Sequence, residues 1–122
     1  TMADKDLVTT EVVDGVTILS FSANQVSLTE SVMPLVSSAF LAAADADPPK
    51  VVLDMGNVAF FSSSFIEVMF RLWNRINKCE NSGFAISGLN AYCKEILEVT
   101  NLTTVWNVYS TRDEAVAALR DA

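Results

Sequence analysis

The stretch VVLDMGNVAFFSSSFIEVMFRL, residues 51–72, decides the fold. It opens as an apolar run, Val51-Val52-Leu53, and crosses a polar turn from Asp54 to Asn57. A second apolar patch, Val58 to Phe61, leads into Ser62, Ser63 and Ser64. Phe65, Ile66, Val68, Met69, Phe70, Leu72, Trp73 and Ile76 then follow at helical spacing. A buried strand, then serines, then an apolar helix sets hydroxyls at a helix N-terminus. Working outward, Lys50 to Met55 reads as a central strand, its continuous apolar character fitting a sheet covered on at least one face. The helix is expected from Ser63 or Ser64 to Cys79.

Upstream, Leu7 to Val13 and Val16 to Ser22 are rich in β-branched residues and flank Asp14-Gly15, a strong hairpin signal. Ala23 to Thr29 reads as a polar connector, followed by a helix to about Asp45. Pro34 belongs in that helix's first turn, where its missing N–H is no loss, so the start should lie near Ser31. A capping box of Ser27 with Glu30 is the alternative, and it would push Pro34 deeper. Asp47-Pro48-Pro49 ends the unit. Downstream, Asn81-Ser82-Gly83 is a turn and Phe84 to Leu89 a fourth strand. Asn90 can cap a helix from Ala91 to Val99, with Asn101 as its left-handed C-terminal residue. Val105 to Tyr109 is a fifth strand, and Thr111 to Glu114 is a capping box opening a helix from Asp113 to Arg120. The order ββαβαβαβα predicts a single α/β domain: a mixed five-stranded sheet with helices packed mainly on one face.

The 122 residues fit one domain able to build a core without disulfides. Apolar residues make up 51% and charged ones only 19%, which argues against disorder. A net charge of −7 argues against nucleic acid and anionic membrane as partners. No stretch is long and apolar enough to span a bilayer, and the polar N-terminus lacks a signal peptide's apolar segment, so the expected location is cytoplasmic. Residues 1–6 are expected to be disordered or tag-derived. Cys79 and Cys93 read as reduced thiols on helical segments. The chain has no histidine, which removes His-based triads, the commonest general base and most zinc sites. No phosphate-cradling glycine loop is present. Neither a cofactor nor a metal is expected.

The serines admit three readings. One hydroxyl can cap the helix by accepting from the N2 or N3 amide, worth roughly 1 kcal/mol. One serine can be a phosphorylation site, its phosphate held by free amides and the positive end of the helix dipole. A catalytic serine would need a base, and no lysine is close in sequence to the serines. Asp54 and Glu67 could form an acid–base pair or a Mg²⁺ site. The plainer reading gives Asp54 hydrogen bonds from loop amides and makes Glu67 a first-turn acid complementing the dipole.

With strand, serines and helix in place, the chain resembles the STAS domain family: anti-sigma factor antagonists, stressosome subunits and the cytoplasmic domains of sulfate transporters. In the antagonists a strand ends in aspartate, and an Asp-Ser-Ser-Gly-Leu-like segment begins a helix. Asp54 overlies the strand-end aspartate, Ser63 the serine phosphorylated by the cognate kinase, Ser64 the next residue and Ile66 the leucine. Ile96 to Leu102 is similar to a helix end of the family, and the resemblance covers essentially the whole chain. Ser62 stands where the antagonists carry aspartate, and Phe65 where they carry glycine. Bulk at Phe65 would cover the Ser63 hydroxyl or reshape the partner surface, and Glu67 adds charge near a phosphate on Ser63.

The resemblance implies an anti-sigma factor antagonist that is not an enzyme. It would bind an anti-sigma factor with serine-kinase activity until Ser63, with Ser62 and Ser64 as adjacent alternatives, is phosphorylated. Asp54, Asn57, Ser62, Ser63, Ser64, Phe65 and Glu67 are the expected partner-binding residues. A homodimer or an assembly of STAS domains is compatible with it. Two alternatives stand beside it: an unphosphorylated scaffold subunit of a stressosome-like or transport assembly, and a small enzyme using Asp54 and Glu67.

Overall fold

The structure, a computed structural model, describes residues 7–22 and 26–121. The expectation for residues 1–6 lies outside that range. Strands β1 (Val8–Val13) and β2 (Val16–Phe21) form the expected hairpin, in register from Val13↔Val16 to Val8↔Phe21. Asp14 and Gly15 both adopt positive φ, 52° and 80°, as a type I′ turn requires.

A further strand, β3 (Val26–Leu28), lies inside the segment read as a polar connector, whose residues 23–25 are outside the described range. A 3₁₀ turn at Glu30–Val32 leads into helix α1 (Met33–Ala44), with Pro34 in its first turn as expected. The alternative box of Ser27 and Glu30 does not form, because Ser27 is in β3. Strands β4 (Lys50–Asp54) and β5 (Val58–Phe61) precede helix α2 (Ser63–Asn77). Then come β6 (Gly83–Ser87), α3 (Ala91–Val99), a 3₁₀ turn at Leu102–Thr104, β7 (Asn107–Tyr109) and α4 (Arg112–Arg120).

The five-stranded sheet has the order β1-β2-β4-β6-β7. Its β1–β2 pair is antiparallel and the other three pairs are parallel, so the sheet is mixed as expected. The additional strands β3 and β5 pair with each other in a small parallel sheet. Sequence reading missed both because each is short. A run of three or four residues carries too little alternation to register as a strand by itself.

Side chains alternate across β4 with period two. Val51 and Leu53 face one core, packed with α1, α2 and α3 through Val36, Phe40, Phe65, Met69, Leu72, Cys93 and Leu97. Val52 faces the other core with Val16, Ile18 and Ala85, closed by Ala115, Val116 and Leu119 of α4. Three helices therefore cover one face and α4 covers the other, which accounts for the uninterrupted apolar run in β4. The fifth strand is shorter than expected. Val105 and Trp106 precede it in a turn, and the Trp106 ring is buried against Phe70 and Phe84.

The three cap signals fold as read. Asn90 Oδ1 accepts from the Cys93 amide at 2.7 Å, Asn101 adopts φ 60°, and Thr111 with Glu114 forms a capping box. Cys93 is buried on α3, and burial pushes its thiol pKa up by disfavouring the thiolate. Cys79 lies in the exposed turn after α2, which ends at Asn77, rather than within the helix as expected. A neutral-pH alkylating reagent should therefore modify Cys79 in the native protein and reach Cys93 only after denaturant is added. Intact mass before and after unfolding reads this directly; two rapid native adducts would refute it.

Candidate functional site

The site is the junction at which β4, β5 and the start of α2 meet the C-terminal ends of the parallel strands. Asp54 ends β4 and turns the chain. Its Oδ1 accepts from the Gly56 amide at 3.0 Å, the loop-amide bond expected for it. Its Oδ2 takes two bonds from Arg112, at 2.9 Å from Nε and 2.7 Å from Nη2. Arg112 Nη1 also reaches Glu11 Oε1 at 3.0 Å, so one guanidinium ties β4, β1 and α4 together. The turn is tight. Gly88 has φ +73°, and a Cβ there would lie 3.1 Å from the Gly56 nitrogen.

Asp54 side-chain exposure is only 21%, so the bond between the ions is partly shielded from water. Arg112→Ala leaves this carboxylate without its cation. We expect a loss of about 2 kcal/mol, the range for hydrogen bonds to charged groups. Urea unfolding measures it, and a change within error of zero would show the pair to be inert.

Backbone and amide bonds fix the rest of the platform. The Met55 amide donates to Ser87 O at 2.8 Å, and Asn57 Nδ2 donates to Phe21 O at 2.8 Å. Asn90, besides capping α3, donates from Nδ2 to Val58 O and Ala59 O at 3.2 and 3.1 Å. The Ser62 amide donates to Leu28 O at 3.0 Å, so β3 seats the start of α2. The Phe60 ring stacks on Tyr92 with centroids 5.8 Å apart, and Tyr92 is 52% exposed. This aromatic pair adjoins the serine segment through β5.

The three serines take three different positions. Ser62 is the N-cap residue by backbone geometry, with φ −90° and ψ 173°, but its hydroxyl makes no capping bond. Its Oγ is buried and has no hydrogen-bond partner. The expected hydroxyl cap is therefore not formed, and the Ser62 carbonyl accepts from the Phe65 amide instead, at 3.1 Å. Ser63, the first residue of α2, is exposed, and Ser64 is partly buried. The open hydroxyl thus lies at the helix N-terminus, where no side chain caps the first amides.

Of the other expected partner-binding residues, Asn57 and Glu67 are exposed and Asp54 is partly buried. Two expectations are corrected. Phe65 is 0% exposed, so it neither covers Ser63 nor offers its ring to a partner. It packs against Phe21, Phe40 and Phe61 at centroid distances of 6.4, 5.9 and 5.3 Å. Glu67 is the fifth residue of α2, one turn past the helix start, so no acid occupies the first turn.

Sequence reading missed Arg112, because its partner lies 58 positions away. Among the described residues no cluster of three or more acids or cysteines could hold a metal ion. A cleft of about 430 Å³ beside β7, lined by residues including Lys94, Glu98, Asn107 and Tyr109, contains neither Asp54 nor Glu67. Among the described residues no helix is long and apolar enough to cross a membrane.

These features define a class: a single α/β domain whose mixed sheet presents an exposed serine at the start of a central helix. The chain belongs to the STAS domain family, whose model matches residues 8–115. It is similar to a solved anti-sigma-factor antagonist (STAS) domain protein from Planctomyces limnophilus. The two are 40% identical over 92% of this chain and 97% of that one, with a TM-score of 0.85. An anti-sigma factor antagonist from Mycobacterium paratuberculosis shares the fold at 24% identity, with 93% of each chain covered and a TM-score of 0.82. A putative anti-sigma factor antagonist from Thermotoga maritima does so at 22% identity, over 96% of this chain and 97% of that one, TM-score 0.82. No protein with a curated description matches the chain.

Proposed function

We propose that the protein is a cytoplasmic anti-sigma factor antagonist, a binding switch rather than an enzyme. Its partner is an anti-sigma factor with serine-kinase activity, and phosphorylation of Ser63 releases that partner. The observation that carries this reading is the separation of the serines. Ser63 alone of the three is exposed, while the Ser62 hydroxyl is buried. The resemblance to the antagonists overlays Ser63 on their phosphorylated serine, and the chain is 40% identical to an antagonist domain protein. The start of α2, where no side chain caps the first amides, suits a phosphate on that residue.

The docking surface of this reading takes the exposed Ser63, Asn57 and Glu67 with the half-buried Ser64, and Phe60 and Tyr92 as its apolar part. Asp54, Ser62 and Phe65 act beneath it. Asp54 fixes the turn through Arg112, and Phe65 anchors the helix in the core. The Asp54–Arg112 bond also weighs against the enzyme alternative, since it commits the carboxylate to a structural contact.

The test is phosphate uptake. The partner is recovered from source-cell extract on immobilised protein and then incubated with ATP and either wild type or Ser63→Ala. Intact mass should show one added phosphate on wild type and none on the variant. Equal uptake by both would remove Ser63 as the acceptor and point to Ser64.

A further inference from the structure

Strand β1 is one of the two outer strands of the five-stranded sheet, and its edge, unpaired among the described residues, has a defined hydrogen-bonding phase. In a hairpin closed by a two-residue type I′ turn, the flanking residues exchange both of their backbone bonds. Val13 therefore bonds to Val16, and by alternation Glu11 bonds to Ile18 and Thr9 to Ser20. The N–H and C=O groups of Val8, Thr10 and Val12 point away from β2. Among the described residues no backbone bond reaches them. Of the usual protections of an edge, β1 has one charge, Glu11, which Arg112 pairs. β1 holds no proline and no lysine, and its register with β2 runs without a bulge. Val12 is 66% exposed beside a shallow trough floored by Ala39, Ala42 and Ala43 of α1.

We propose that this edge binds β1 of a second copy of the chain, antiparallel, extending the sheet across both molecules. A two-fold axis perpendicular to the sheet sets residues of equal parity opposite one another. One register uses all the free groups. Centred on Thr10 opposite Thr10, it sets Val8 opposite Val12 in both directions, and all three positions exchange bonds. It also joins two valines on the trough side, burying the exposed Val12, and sets Glu11 opposite Thr9. Shifting the centre to Glu11 would place two carboxylates in the closest kind of cross-strand pair, which like charge disfavours. Shifting it to Thr9 leaves Val12 without an opposing residue in the strand. The sequence of β1 thus suits its own copy in one register. Each copy carries a net charge of −7, so salt should tighten the dimer by screening that repulsion.

Sedimentation equilibrium of the purified protein over a range of concentrations and NaCl tests this. Wild type should dimerise, more tightly as salt rises. Thr10→Pro removes an outward N–H that the hairpin does not use, and Val12→Lys sets a charge on the edge. Each should weaken dimerisation by at least about tenfold, or 1.4 kcal/mol. Their urea midpoints, measured at a dilution where wild type is monomeric, should match wild type. Should Thr10→Pro misfold, Val12→Lys carries the test. Wild type that stays monomeric throughout, as an edge serving a strand of some other protein would, overturns the proposal. So does a dimer that survives both substitutions or loosens as salt rises.

Discussion

Phosphorylated protein is expected to bind its partner at least about a hundredfold more weakly than the unphosphorylated form, a difference of roughly 3 kcal/mol. The phosphate adds nearly two negative charges at the one exposed serine of the segment. In a contact that excludes water, this dianion must lose hydration or find cations. Glu67, one turn further along α2, adds repulsion. The fold, by contrast, should scarcely notice. A negative group at the first position of a helix gains from the dipole by about 0.3–1 kcal/mol, and the like-charge pair with Glu67 returns a few tenths.

Ser63→Asp should therefore lose affinity while its urea midpoint stays within about 1 kcal/mol of wild type. Ser63→Ala should keep both properties. Calorimetric titration with the recovered partner, run beside unfolding curves, separates these outcomes. Binding of Ser63→Asp indistinguishable from wild type would favour constitutive docking in an assembly over a switch.

The largest expected loss of stability comes from Phe65→Gly, which installs the glycine that the resemblance to antagonists gives this position. Phe65 has 0% exposure and contacts aromatic rings from β2, α1 and β5. Removing a buried phenyl costs about 3–5 kcal/mol in lost burial and cavity formation. Glycine adds up to about 1 kcal/mol of helix penalty. A loss above about 3 kcal/mol in urea would fit a core keystone, and one below 1 kcal/mol would mean that neighbouring rings collapse into the space. In this chain glycine at that position is therefore not a neutral return to the family pattern. The space filled by Phe65 is bounded by the rings of Phe21, Phe40 and Phe61, and a glycine there would leave it empty.

Much of the fold was legible in the sequence because its signals are local. Asp14-Gly15, Asn90, Asn101 and the Thr111–Glu114 box each act within four residues, and each folded as read. The apolar run of β4 declared a central strand, and the structure then sets Val52 and Leu53 in opposite cores. What stayed hidden depends on chain segments far apart. β3 exists because β5 lies beside it, and neither is long enough to announce itself. Arg112 meets Asp54 only because α4 returns across the sheet's second face.

For residues 51–72 the division is sharp. The sequence determined a strand, a turn and a helix beginning at serines, since apolar periodicity and polar punctuation are properties of neighbours. Which serine would be open to a partner was decided by tertiary structure. β3 draws the Ser62 backbone inward at Leu28 and buries its hydroxyl, and the aromatic core takes in Phe65. Ser63 is left on the outside. Exposure is a relation among segments brought together by folding, so three identical side chains in a row could not reveal it.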